Sequence, residues 1–138
     1  MYAQRALVLL VAGVLGCGNA STGTVSGVVK LDGQPLAKGL INFQPFGDKL
    51  NPGPGSSGRT NEKGEFSLML ATGGPGAIVG KHKVEISAFN EDITKLPDDD
   101  KPRPNLRNRV PPKFNIQSTL TFEVKAGSNT ADFDLKTK

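Results

Sequence analysis

His82 is the only histidine in the chain, and imidazole is the side chain that ordinarily changes its charge near neutral pH. A histidine that acts as a general base needs a nucleophile held beside it, and a metal site needs further ligands. The sequence suggests neither, and Lys81 and Lys83 flank the ring with positive charge that disfavours a bound cation. We therefore expect His82 to pack at a strand end, at the rim of the fold, and we expect no catalytic residue, metal or cofactor.

An acidic run could in principle bind calcium, which takes about six to eight oxygen ligands. It comprises Asp98, Asp99 and Asp100, with Glu91 and Asp92 shortly before them. The spacing is not that of an EF-hand, the turn glycine is missing, and lysines interleave with the carboxylates. We expect a solvated acidic loop.

A basic group follows, and the neighbouring acids cancel much of its charge. It consists of Lys101, Arg103, Arg107, Arg109 and Lys113, which are candidates for contact with lipid headgroups or acidic polysaccharide. Because long irregular segments in compact domains are commonly functional, we expect the interaction surface to combine residues 90–115 with the Gly/Pro-rich residues 46–57. The net charge of +4 is spread along the chain, which argues against a nucleic-acid partner.

Cys17 is the only cysteine, so the sequence allows no disulfide within the chain. It follows a short segment with the positive charge of Arg5 and then an apolar run at residues 6–15. A helix of that length spans about 15 Å, half of a hydrocarbon core of about 30 Å. Residues 1–16 are therefore predicted to be a signal peptide and not a membrane-spanning helix.

The residues Val14-Leu15-Gly16-Cys17 resemble a bacterial lipobox, with an aliphatic residue first and a small residue before the cysteine. This resemblance implies cleavage before Cys17 and transfer of a diacylglyceryl group to its thiol. Each buried methylene contributes about 0.8 kcal/mol, so two or more acyl chains hold a domain stably at a membrane. The alternative is an ordinary secretory leader with a cysteine near its cleavage site.

Residues 17–23 are predicted to be the lipidated cysteine and a flexible tether. Gly18 stands where an aspartate would, in enteric bacteria, signal retention in the inner membrane. We expect an exported protein anchored by lipid in the bacterial cell envelope, at the outer membrane in preference to the inner one.

Residues 24–138 are predicted to form one domain of short strands, because apolar and polar residues alternate between turns rich in Gly and Pro. The alternation predicts strands at residues 24–31, 40–44, 58–60, 65–70, 81–88, 120–124 and 131–135, with residues 126–129 as a hairpin loop between the last two. The other faces are polar, so helices are not expected to cover the sheets. We predict an all-β, seven-stranded antiparallel β-sandwich.

The order of several motifs resembles the carboxypeptidase regulatory-like, or transthyretin-like, domain family. The matching residues are Val25-x-Gly27-x-Val29-x-Leu31-Asp32-Gly33-x-Pro35-Leu36, Gly39-x-Ile41-x-Phe43-x-Pro45, Thr60-x-x-x-Gly64-x-Phe66, Gly80-Lys81-x-Lys83-Val84, Val110-Pro111-x-Lys113-Phe114, where Phe replaces the usual Tyr, Ser118-x-Leu120-Thr121-x-x-Val124, and Gly127-x-Asn129-x-x-x-Phe133-x-Leu135. The resemblance covers residues 24–135 and implies a transthyretin-like (prealbumin-like) sandwich with an Ig-like Greek key. Lipoproteins of this design are numerous in planctomycete-type bacteria. The family implies no established activity.

These observations favour a non-enzymatic, lipid-anchored envelope protein that acts as a structural or protein-interaction module. Its partners would be the membrane, through acyl chains on Cys17, and an envelope protein or polysaccharide. The alternative is a surface-presented binding protein for a small ligand or glycan. The chain has no tryptophan, and Tyr2 lies in the leader, so an exposed aromatic platform for sugars is limited to phenylalanine.

Overall fold

The computed structural model describes residues 21–47, 50 and 52–138. Cys17 and the predicted signal peptide lie outside the described residues. Within those residues, no helix is long and apolar enough to cross a membrane.

The described chain is built from short strands and two 3₁₀ turns, Ile93–Lys95 and Pro112–Phe114. The strands are β1 (Thr22–Leu31), β2 (Gln34–Pro35), β3 (Leu40–Pro45), β4 (Ser56–Arg59), β5 (Glu65–Ser67), β6 (Met69–Leu70), β7 (Ala77–Ile78), β8 (Gly80–Ser87), β9 (Thr121–Val124), β10 (Gly127–Thr130) and β11 (Phe133–Leu135).

Two sheets face each other. In the first, β1 lies between β10 and β11 and also pairs with β2, β5 and β7, while the second has the order β6-β4-β3-β8-β9. All pairings in the second sheet are antiparallel, but β10 and β11 run parallel to β1. The architecture is all-β and compatible with a β-sandwich, as the alternation predicted.

The predicted count of seven strands is not confirmed, because one predicted strand is divided and further short strands are present. The segment at residues 65–70 divides at Leu68, so that β5 pairs with β1 in one sheet and β6 pairs with β4 in the other. The last predicted strand is preceded by β10, which pairs with β1 before the chain continues into β11.

The predicted hairpin at residues 126–129 is wrong. Strand β9 pairs with β8 in the second sheet, whereas β10 starts at Gly127 and pairs with β1 in the first sheet. These residues therefore carry the chain from one sheet to the other. Alternation of side chains defines which face is buried, but it does not define which strands are neighbours.

The core fills the space between the sheets. It contains inward residues of the strands together with five residues outside them: Val25, Val29, Ile41, Phe43, Phe66, Ala77, Val84, Ile86, Val124 and Leu135 from strands, and Leu36, Leu68, Ala88, Val110 and Ala131 from connections. Phe43 is central, with ring centroids 5.7 Å from Phe122 and 6.3 Å from Phe133. The first sheet and the second are thus joined by aromatic contacts through the middle of the molecule.

The predicted turn after β1 is confirmed. Asp32 and Gly33 both have positive φ angles, 50° and 81°, as a tight two-residue hairpin turn requires. The carboxylate of Asp32 accepts hydrogen bonds from the amide and the hydroxyl of Thr137, at 2.9 and 2.8 Å, and these bonds lower its pKa. The turn therefore also holds the C-terminal segment.

Candidate functional site

The sandwich has two different ends, defined by where β1 begins and where it stops. At the N-terminal end, the amide of Val79 donates to the carbonyl of Ser21 at 2.8 Å, and the amide of Phe46 donates to the carbonyl of Lys81 at 3.1 Å. A ten-residue strand such as β1 is about 33 Å long. The loop end, beyond Leu31, is therefore about 30 Å from the point where the chain enters the domain.

The long loop, residues 88–120, leaves β8 at the loop end and returns to β9. Its base continues the strand geometry of β8: Phe89 forms a bridge with Asn108, and the amide of Arg109 donates to the carbonyl of Ala88 at 2.7 Å. One step further along the loop, the amide of Asn90 donates to the carbonyl of Arg107 at 3.0 Å. The loop therefore has a closed neck.

Asparagine side chains hold this neck. The Oδ1 atom of Asn108 accepts from the amides of Ala88 and Val110, at 2.9 and 3.1 Å. Asn90 accepts from the amide of Arg107 at 2.7 Å and donates to the carbonyl of Asn105 at 2.8 Å. These bonds satisfy backbone groups that no sheet partner reaches.

The returning half of the loop is fixed against β8. The Nδ2 atom of Asn115 lies 3.2 Å from the carbonyl oxygens of Ile86 and Val110, and 3.0 Å from that of Pro111. Val110 itself is buried in the core. The loop is thus anchored both by polar contacts and by apolar burial.

Two acidic residues of the loop, Asp92 and Asp99, form ion pairs within the loop or with the adjacent sheet. Asp92 accepts from the amide and hydroxyl of Thr94, at 3.1 and 2.6 Å, and these bonds lower its pKa. Arg59 of β4 lies 3.6 Å from the same carboxylate. In the described ranges, no three His, Cys, Asp or Glu side chains are grouped so as to hold a metal ion.

The basic candidates do not share one binding centre. Lys101 and Arg103 both pair with Asp99, at 3.4 and 2.7 Å. The guanidinium of Arg109 donates to the carbonyl of Ala37 at 2.6 Å.

The other two basic candidates differ from each other. Lys113 lies 5.0 Å from the ring centroid of Phe114. Arg107 is exposed, and its guanidinium has neither a hydrogen bond nor an ion pair with the described residues. Arg107 is therefore the candidate whose charge is most available to a partner.

His82 is buried at 0% exposure, so its expected position at the rim is wrong. Its ring packs against Phe43, with centroids 5.6 Å apart, and its Nδ1 atom lies 3.0 Å from the carbonyl oxygen of Gly80. Because a carbonyl can only accept, Nδ1 carries the proton, and Nε2 is left without a partner among the described residues. Burial lowers the pKa of His82.

Among the depressions outside the long loop, two are of interest, and alternation alone did not single them out. One, of about 450 Å³, lies on the second sheet and is lined by Asn42, Gln44, Ser57, Lys83 and Glu85, among others. The other, of about 530 Å³, lies at the N-terminal end and is more apolar than polar, with Phe46, Pro52, Ile78 and Val79 in its lining.

Comparison with known proteins gives no family. No protein-family model matches the chain, and no curated protein matches it. A solved structure, a DUF3823 family protein from Parabacteroides merdae, is similar with 16% sequence identity and a TM-score of 0.40, over 84% of this chain and 46% of that one. The chain therefore spans less than half the length of that protein, and the likeness assigns it no function.

Proposed function

We propose that the protein is a non-enzymatic, lipid-anchored module of the bacterial cell envelope that presents its long loop to an envelope partner. The observation that carries this proposal is the placement of the neck of the loop and of Ser21 at opposite ends of β1. Only residues 18–20 separate the predicted lipid-bearing Cys17 from Ser21. Such a linker spans at most about 14 Å, so a lipid on Cys17 would hold the N-terminal end near the bilayer and direct the loop away from it.

The construction of the loop supports a role in binding. Its neck is closed by Asn90 and Asn108, and its return is fixed by Asn115, so little conformational freedom is lost when a partner binds. Arg107 offers an unpaired positive charge on the exposed side, and Ile116 is 79% exposed. We infer that the partner is an envelope protein with an acidic contact surface.

The finer family assignment is also a proposal. The two-sheet architecture and the tight turn at Asp32 and Gly33 agree with a transthyretin-like, carboxypeptidase regulatory-like sandwich. The assignment, the Greek-key topology and an origin in planctomycete-type bacteria depend on the sequence motifs. Localisation at the outer membrane likewise depends on the lipobox and on Gly18.

A photo-reactive amino acid placed at Arg107 and irradiated in whole cells tests the partner. The matched control carries the same group at Asp134, an exposed residue on β11. We expect a cross-linked protein adduct from position 107 that is absent from position 134. An adduct that resists protease but is removed by a glycan-cleaving enzyme would show that the partner is a polysaccharide and not a protein. Identical patterns at the two positions would contradict a role for the loop.

A second candidate function is the binding of a small polar ligand or glycan in the depression on the second sheet. The observation that favours it is a set of hydrogen-bonding groups around one open space: the amides of Asn42 and Gln44 and the ion pair between Lys83 and Glu85, with N and O atoms 3.2 Å apart. A thermal-shift screen of sugars would test it. A ligand that raises the Tm of the wild type, but not that of Asn42→Ala, would support this function over the first.

A further inference from the structure

Two apolar side chains are exposed at the N-terminal end, beside the point where the chain enters the domain. Phe46 is 45% exposed and Val79 is 38% exposed, and both line the apolar depression there. Ser21 lines the same depression, and its carbonyl accepts the hydrogen bond from Val79. We call Phe46 and Val79 the apolar rim.

The length of chain before Ser21 limits what the apolar rim can face. If Cys17 is acylated, its thiol lies at the bilayer interface, and a linker of about 14 Å connects it to Ser21. Side chains beside Ser21 are then within reach of the same interface. The neck of the long loop, at Asn90 and Arg107, lies at the other end of β1, about 30 Å away, and is not.

We propose that the apolar rim makes a second contact with the membrane, in which Phe46 and Val79 enter the headgroup and acyl boundary of a phospholipid bilayer. This inference rests on the proposed lipid anchor. Side chains that insert only weakly bind far better when a tether already holds them beside the bilayer, because the tether raises their effective concentration there. The contact would fix the tilt of the sandwich and keep the long loop pointing away from the bilayer.

The charges near the apolar rim indicate that the contact is apolar and not specific for anionic lipid. Lys81 is exposed and lines the same depression. Its cross-strand neighbour in β9 is Glu123, which offsets the positive charge. The inserted groups are thus Phe46 and Val79, and a neutral phospholipid should suffice.

Tryptophan reporters can test this contact, because the chain has no tryptophan of its own. The full chain carrying Phe46→Trp is expressed in a bacterial host, recovered from the membrane fraction, and reconstituted into phosphatidylcholine vesicles with or without brominated acyl chains. Asn105→Trp, at an exposed position of the long loop beyond its neck, is the matched control. Val79→Trp replaces the first reporter if Phe46→Trp lowers the Tm.

We expect brominated lipid to quench the reporter in the apolar rim at least about twofold more than the Asn105→Trp control, since an inserted group reaches about 5–10 Å into the interface. Equal quenching at both positions would overturn the inference. The intact mass of the same samples separates this result from the fate of the lipid anchor. If the protein is acylated but quenching is equal at the two positions, the proposed membrane contact is rejected and the lipid anchor is retained. If the protein carries no acyl group but the rim reporter is strongly quenched, the membrane contact is supported and the lipid anchor is rejected. If the protein carries no acyl group and quenching is equal at the two positions, both proposals are rejected.

Discussion

The guanidinium of Arg109 donates a hydrogen bond of 2.6 Å to the carbonyl of Ala37, which is 72 residues earlier in the chain. Ala37 lies between β2 and β3, so this bond ties the long loop to the connection that crosses between the sheets. Arg107, two residues before Arg109, has no such partner among the described residues. Two arginines that the sequence presents as equivalent are therefore expected to act differently, one in stability and one in binding.

Arg109→Ala should lower the free energy of unfolding by about 1 kcal/mol, the usual contribution of one intramolecular hydrogen bond. Arg107→Ala should change it by less than about 0.5 kcal/mol, as for other surface substitutions. Urea unfolding of the two variants beside the wild type measures both values. Equal losses of stability would mean that the bond to Ala37 does not hold the loop.

Asn115→Ala should release the returning half of the long loop. The substitution removes an amide that lies within 3.2 Å of carbonyl groups in β8 and in the loop itself. Buried acceptors left without a donor cost about 1–3 kcal/mol, so both stability and protection should fall. Limited proteolysis should show faster cleavage within residues 88–120.

Gln117→Ala is the matched control for that cleavage, because Gln117 is exposed and its side chain makes no hydrogen bond among the described residues. Cleavage of the control at the wild-type rate, with faster cleavage of Asn115→Ala, is the expected pattern. A wild-type rate for both variants would show that the Asn115 amide is dispensable.

The buried His82 should make the protein less stable in mild acid. Burial holds its pKa below the ordinary 6.5, so between that value and the lower folded pKa the unfolded chain binds more protons. The free energy of unfolding should therefore fall as the pH drops below about 6.5 and should be flat just above it. Asp32 and Asp92 have lowered pKa values too, but their contributions are lost only as the pH falls below 3.8.

His82→Phe isolates this effect, because phenylalanine cannot titrate and its ring can pack beside Phe43. Chemical unfolding at several pH values between 7 and 5 should give a flatter profile for the variant than for the wild type. The same slope in both proteins would assign the acid sensitivity to other groups.

The sequence predicted the inward faces of the strands well, because side chains in a strand alternate with a period of two. The alternation in the strands predicted at residues 40–44 and 81–88 places Ile41 with Phe43, and Val84 with Ile86, on one face, and all four side chains are buried. The same period of two also predicts a buried His82, because this residue lies two positions before the buried Val84. Its polar character led to the expectation of a rim position, but the geometry of the strand decides the outcome.

Other features depended on contacts that no local pattern contains. Leu36 and Val110 are buried although they lie in connections, because the loops that carry them are folded onto the core. The five basic candidates look like one group in the sequence, yet Arg103 pairs with Asp99 and Arg109 binds Ala37. Partners of this kind are set by the path of the loop, which only the structure defines.

The measurement that tests the central claim most directly is the intact mass of the protein from a bacterial membrane fraction, beside Cys17→Ser. The proposed function predicts a chain that begins at Cys17 and carries the added mass of a diacylglyceryl group, with that mass absent from the variant. A cleaved chain without lipid would contradict the anchor and favour a freely secreted ligand-binding protein. An uncleaved chain would contradict both the signal peptide and the lipobox.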